Sequence, residues 1–126
     1  PQKELADRMF GKNGYCAMLS FIVPEDLEKI DQFMLALKFP KYAPTLGGLH
    51  TTLSHPVTSS HMGVPDETRR KMGITPGMIR VSVGIEDADD LAADFENALK
   101  VFDCSTLWNV PLHILANDLA VWYNVN

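Results

Sequence analysis

An arginine interrupts a hydrophobic stretch of the sequence. Residues 77–85 read GMIRVSVGI, and their alternation would direct Ile79 and Val81 to one face of a strand and Arg80 to the other. A charge at this position makes Arg80 a candidate functional residue. The alternative is an exposed charge with a weak surface ion pair, and sequence chemistry alone favours that alternative.

Three histidines, at positions 50, 55 and 61, are candidate metal ligands. Their spacing matches neither of the usual zinc patterns, and no cysteine pair accompanies them. We therefore predict hydrogen-bonding roles in a loop and no metal site. The serines and threonines around them are too many to indicate a nucleophile, and no GxSxG elbow or Cys–His pairing occurs. We predict no catalytic residue in this chain.

The composition limits the class of protein. The chain has 126 residues, 46% of them hydrophobic, which suits one compact domain. Its 16 acidic and 11 basic residues give a net charge of −5, which disfavours nucleic acid as a partner. No apolar run approaches the roughly 20 residues of a membrane span, and no secretory signal is visible. With only Cys16 and Cys104, we expect a cytoplasmic protein. Cys16 lies in an apolar run and is expected to be a buried, inert thiol.

Hydrophobic periodicity predicts an alternating order of helices and strands. We expect a helix end at 2–10, a well-buried strand at 15–23, a helix at 24–38 with Pro24 in its first turn, a short strand at 43–46 followed by loop or single turns to 61, a helix at 64–73, the strand around Arg80, and a helix at 87–102. Residues 120–125 fit a short helix or a strand. This order predicts a two-layer α+β sandwich, but periodicity does not distinguish an antiparallel from a mixed sheet.

Two predicted helices carry apolar stripes at helical spacing. The inward residues are expected to be Leu27, Ile30, Phe33, Met34 and Leu37 in the first, and Leu91, Phe95, Ala98, Leu99 and Phe102 in the second. The second helix starts with Asp87, Asp89 and Asp90, which indicates N-terminal capping and not a metal site.

Several motifs resemble one enzyme family. The sequence contains TLGG, then SHP with a further histidine, then GITPGMIRVSVGIED. Together they resemble the C-terminal domain of the pyridoxal-phosphate-dependent enzymes of Cys/Met metabolism, the transsulfuration enzymes. The resemblance covers residues 1–102. It implies the C-terminal domain of a fold-type I enzyme, with a small, mainly antiparallel sheet and helices on one face. The implied reactions are β- or γ-elimination or replacement on cystathionine, methionine or O-acylhomoserine.

The resemblance also implies roles for individual residues. In the family, the arginine at the position of Arg80 holds the α-carboxylate of the amino-acid substrate. Thr45 stands where the family usually has a serine near that carboxylate, and it keeps the hydroxyl. His50 stands where several members have a glutamate that is associated with the choice of reaction, so it prevents assignment of one activity.

The lysine that binds the cofactor in this family is missing from the sequence. None of the seven lysines follows a serine or threonine, as the family's Schiff-base lysine does. We expect pyridoxal phosphate in the full-length enzyme, bound by a missing N-terminal domain, and no activity of this chain alone. The family is typically tetrameric, so a homo-oligomer is expected. Residues 103–126 resemble nothing in the family. Two alternatives are a non-catalytic fragment or docking partner, and an unrelated small-molecule-binding α+β domain.

Overall fold

Four helices and four strands make up the described part of the chain. The computed structural model describes residues 3–11 and 16–102. The elements are α1 (Lys3–Phe10), β1 (Met18–Ile22), α2 (Leu27–Ala36), β2 (Lys41–Tyr42), β3 (Thr52–Ser54), a 3-10 turn (Pro56–Thr58), α3 (Asp66–Lys71), β4 (Met78–Ser82) and α4 (Ala88–Leu99). Within these ranges every helix is too short or too polar to cross a lipid bilayer. The predictions for residues 103–126 lie outside the described residues.

The strands form one mixed sheet in the order β1-β4-β3-β2. Strand β4 pairs antiparallel with both β1 and β3, whereas the two-residue edge strand β2 runs parallel to β3. This sheet, with helices α2 and α4 packed into a common core with it, confirms the predicted α+β class.

The register of the sheet separates an apolar face from a polar one. Residues opposite each other in neighbouring strands share a face. One row across β1, β4 and β3 is apolar and consists of Leu19, Val81 and Leu53; the next row lies on the other face and consists of Ser20, Arg80 and Ser54. The arginine therefore lies in the middle of the sheet, between two serines.

Helices α2 and α4 cover the apolar face. Their buried side chains pack with those of β3 and β4 in one cluster: Val23, Ile30, Phe33, Leu37, Leu53, Ile79, Val81, Phe95, Ala98, Leu99 and Phe102. Phe33 is its centre, because its ring lies 6.1–6.2 Å from the rings of Phe21, Phe95 and Phe102. The predicted stripes are confirmed except at Leu27, which is exposed.

An aspartate is the N-cap residue of each core helix, α2 and α4. The Asp26 carboxylate accepts the amide N–H of Lys29, and that of Asp87 accepts those of Asp89 and Asp90. The capping prediction for α4 is confirmed. The prediction that α2 includes Pro24 is wrong, because Asp26 has extended backbone angles and the helix begins at Leu27.

Four local predictions are wrong at the sheet or next to it. The strand predicted at 43–46 lies instead at Lys41–Tyr42, and strand Thr52–Ser54 falls in a segment predicted as loop or single turns. Strand β3 has only Leu53 facing the core, so its sequence carries no alternating signal. Strand β1 is shorter and more exposed than expected because it forms an edge of the sheet. Cys16 precedes it and is exposed, not buried.

We predict that truncating a side chain of the aromatic cluster strongly destabilises the fold. Phe33→Ala should lower the free energy of unfolding by about 3–5 kcal/mol, because it leaves a cavity among three other phenylalanines. Leu35→Ala is the matched control, since Leu35 belongs to the same helix but is 85% exposed. It should change stability by no more than about 0.5 kcal/mol. Urea denaturation measures both, and equal losses would contradict the assigned core.

Candidate functional site

Arg80 lies half-buried on the polar face of the sheet. Its Nη2 donates a hydrogen bond to the backbone carbonyl of Thr45, at 3.2 Å. No carboxylate of the described residues pairs with it, so the surface ion pair considered from the sequence is absent there. A guanidinium has five N–H donors, and the Thr45 carbonyl uses one of them. The others can bind an anion.

The structure brings together the two residues that the sequence singled out, Arg80 and Thr45. They meet through the carbonyl of Thr45, which also accepts a hydrogen bond from the Thr52 hydroxyl at 3.2 Å. Thr45 itself is exposed, and its hydroxyl makes no hydrogen bond to the described residues. The hydroxyl therefore remains available for a ligand.

Residues 45–50, here called the TLGG loop, run beside strand β4 and the residues that follow it. The amide of Gly47 donates to the Ser82 hydroxyl at 3.1 Å, and the amide of Ile85 donates to the carbonyl of Leu49 at 3.0 Å. Gly47 has φ +70°, a left-handed conformation that favours glycine. Together with the contact between Thr45 and Arg80, these bonds hold the loop over the polar face.

The end of the loop is fixed by Glu86. Its Oε1 accepts the amide N–H of Thr51 and its Oε2 accepts the Thr51 hydroxyl, both at 2.7 Å. The same hydroxyl oxygen accepts the amide N–H of Gly84 at 2.8 Å. Thr51 is fully buried, and the Glu86 side chain is 17% exposed. One threonine thus joins the loop to both ends of the turn after β4.

Burial and hydrogen bonding act in opposite directions on the pKa of Glu86. Burial raises it, but the bonds from the amide and hydroxyl of Thr51, with a smaller contribution from His50, leave it below its ordinary value. The folded protein therefore favours the carboxylate. This contribution to stability is present above the unfolded pKa and is lost as the pH falls through the lowered folded pKa.

The histidines do not form a metal site within the described residues, where no cluster of potential ligands occurs. His50 is 85% exposed, and its Nδ1 lies 3.8 Å from Oε1 of Glu86. His55 is buried, with Nε2 at 2.6 Å from the carbonyl of Pro76 and Nδ1 at 3.0 Å from the Thr58 hydroxyl. Because a carbonyl only accepts, Nε2 carries the proton. His61 contacts the Ser60 hydroxyl. The predicted hydrogen-bonding roles of His55 and His61 are confirmed.

The sequence analysis assigned no role to Ser82, Thr51 or Glu86. Ser82 had a usable signal, because it lies two residues after Arg80 and must share its face. Thr51 and Glu86 had none, since their contact depends on how the loop folds back along β4.

The family is established by comparison with known proteins. The model of the family described as Cys/Met metabolism PLP-dependent enzyme matches residues 1–100. The chain belongs to this family. Its members depend on pyridoxal phosphate, and the predicted resemblance is confirmed. Over 87 residues the chain is 46% identical to a cystathionine beta-lyase, MetC, of Bacillus subtilis, a match that covers 69% of this chain and 22% of the relative.

Other relatives in the family have different named activities. Cystathionine gamma-synthase of Escherichia coli is 38% identical over 97 residues, covering 77% of this chain and 25% of the relative. The crystal structure of cystathionine gamma synthase from Xanthomonas oryzae pv. oryzae with cystathionine superposes with a TM-score of 0.70 at 33% identity, covering 80% of this chain and 26% of the other. The chain spans about a quarter of the length of these relatives.

The described residues do not provide a covalent anchor for pyridoxal phosphate. Lysines 38, 41, 71 and 100 are exposed and Lys29 is half-exposed, so no described lysine side chain lies in a buried pocket. A Schiff-base lysine needs a site that orients the cofactor and excludes water. These residues therefore do not fit the cofactor's attachment site.

The TLGG loop approaches the turn after β4 so closely at Gly84 that no side chain fits there. A Cβ at Gly84 would lie 2.5 Å from Oε2 of Glu86, from the carbonyl oxygen of Leu49 and from the amide nitrogen of Thr51. Gly84→Ala should cost about 1–3 kcal/mol of unfolding free energy. Gly48→Ala is the control, because its nearest neighbour is a carbonyl oxygen at 4.0 Å. Denaturation midpoints compare the two, and equally stable variants would contradict this packing.

Chemical trapping tests the absence of an anchor. We expect pyridoxal phosphate and borohydride to give the 126-residue chain only weak labelling spread over surface lysines. Peptide mass mapping identifies the labelled positions. Stoichiometric labelling of a single lysine at low cofactor concentration would show that the chain holds an anchor of its own.

Proposed function

We propose that residues 1–102 are the C-terminal, substrate-binding domain of a pyridoxal-phosphate-dependent enzyme of sulfur amino-acid metabolism. The reaction class is β- or γ-elimination or replacement, with cystathionine, methionine or an O-acylhomoserine as substrate. The named activities of the relatives, which include a beta-lyase and a gamma-synthase, support this range. The match of the family model to residues 1–100 supports the domain boundary.

The function proposed for Arg80 is to bind the α-carboxylate of the substrate. The observation that carries it is a guanidinium in the centre of a polar sheet face, without a carboxylate partner among the described residues and with Nη2 oriented by Thr45. A carboxylate accepts two parallel N–H bonds from a guanidinium, which fixes its orientation as well as its position. Thr45, next to that edge, supplies a hydroxyl to the same ligand.

The proposed complete enzyme has further parts. The cofactor is held by a separate N-terminal domain, since the described lysines provide no anchor. We propose a cytoplasmic homo-oligomer, in keeping with the family resemblance. The choice among the possible reactions is assigned to residues around the substrate side chain. His50 is the candidate in this chain, because it is exposed at the end of the TLGG loop.

Substitution of Arg80 in the whole enzyme tests the proposed role. Arg80→Lys keeps the charge but loses the paired donors, and one charge-assisted hydrogen bond is worth about 1.5–3 kcal/mol. We expect kcat/KM to fall roughly ten- to a hundredfold, and further in Arg80→Ala. The melting temperature should change little, because Arg80 is not part of the core.

The control is Arg70→Lys, on an exposed arginine that pairs with Glu25 and Asp66 away from the TLGG loop. Its kcat/KM should match that of the wild type. Wild-type kcat/KM in Arg80→Ala would contradict the proposed role and show that Arg80 is an ordinary surface charge.

A further inference from the structure

The TLGG loop reaches Arg80 only through its carbonyl at Thr45. That carbonyl orients one edge of the guanidinium, so the position of the loop decides how the remaining donors are presented. The loop has no helix or strand of its own between Tyr42 and Thr52. Its geometry therefore depends on the bonds that tie it to β4 and to the turn after β4.

Glu86 makes the strongest of these attachments. Three single hydrogen bonds of 3.0–3.2 Å also join the loop to this segment: Arg80 Nη2 and the Ile85 amide donate to loop carbonyls, and the Gly47 amide donates to the Ser82 hydroxyl. Glu86 instead uses both carboxylate oxygens, each at 2.7 Å from a donor of Thr51. Hydrogen bonds to an ionised carboxylate are shorter and stronger than those between neutral groups. The Thr51 hydroxyl extends the network to the amide of Gly84.

We propose that Glu86 is a positioning residue for the carboxylate site: by holding Thr51 it fixes the TLGG loop, and the loop fixes Arg80. The inference rests on the proposed function, because it assumes that Arg80 binds the substrate carboxylate. Glu86 itself does not contact the substrate. Without its charge, the loop moves away from β4, Thr45 releases Nη2, and the guanidinium samples orientations that cannot bind a carboxylate at two points.

The test compares steady-state kinetics of variants of the whole enzyme. Glu86→Gln keeps the shape of the side chain but replaces one carboxylate oxygen, which accepts a hydrogen bond from Thr51, with an NH₂ group. We expect KM for the amino-acid substrate to rise about tenfold with a smaller change in kcat, since misplacement of a binding group by about 1 Å can cost this much or more. Loss of stability alone would lower the amount of active enzyme and leave KM unchanged.

Two threonine variants test the contact from its other side. Thr51→Val removes the hydroxyl and should raise KM as Glu86→Gln does, whereas Thr51→Ser keeps the hydroxyl and should stay within about twofold of the wild type. The charge control is Glu96→Gln, on an exposed residue of α4, which should not affect KM. If Glu86→Gln does not fold, the threonine pair decides: equal KM values in Thr51→Val and Thr51→Ser overturn the inference.

Amide hydrogen exchange on the 126-residue chain gives a local readout. The Gly47 amide is protected by the Ser82 hydroxyl in the middle of the loop. In Glu86→Gln its exchange should accelerate by about tenfold or more, while the amide of Val81 in the central strand keeps its rate. Unchanged exchange at Gly47 would show that Glu86 does not hold the loop.

Arg80→Lys, measured in the same series, separates the two proposals. If Arg80→Lys leaves KM unchanged, the carboxylate site itself is wrong. If Arg80→Lys raises KM while Glu86→Gln leaves it within about twofold of the wild type, only the positioning role of Glu86 is overturned.

Discussion

The alternation of side chains along β4 is the constraint on which the rest of the structure depends. Strand β4 is internal to the sheet and pairs with β1 and β3. Ile79 and Val81 enter the core beneath α2 and α4, so Arg80 and Ser82 must lie on the opposite face. A shift of register by one residue would bury the guanidinium and expose the two core residues. Hydrophobic burial therefore fixes where the charge is presented.

The polar face is organised by a loop and not by further secondary structure. The TLGG loop follows β4 through contacts to Arg80, Ser82 and Ile85, and Glu86 closes it through Thr51. The same short sequence, RVSVGIE, thus supplies core side chains, the candidate binding residue and the anchors of the loop. Gly84 has no room for a side chain, because the Leu49 carbonyl, the Thr51 amide and the Glu86 carboxylate all lie close to it.

The sequence was most informative where one face of an element is fully buried. The inward residues of α4 and the alternation in β4 were predicted correctly, since a continuous core imposes a clear period. Strands β2 and β3 were misplaced or missed because they are only two and three residues long. Arg80 and Thr45 came from the resemblance to a family, and the contact between them depends on tertiary folding. Glu86 and Thr51 are far apart in sequence, and no local pattern indicates that they meet.

The central claim is that Arg80 binds the substrate carboxylate, and a thermodynamic cycle tests it most directly. It combines wild-type enzyme and Arg80→Ala with an amino-acid substrate and its α-carboxamide, which lacks the negative charge. The account predicts a coupling free energy of about 1.5–3 kcal/mol, calculated from the four values of kcat/KM: the wild type discriminates strongly against the carboxamide, and Arg80→Ala no longer does. Equal discrimination by both enzymes, a coupling of zero, would contradict the assignment of Arg80.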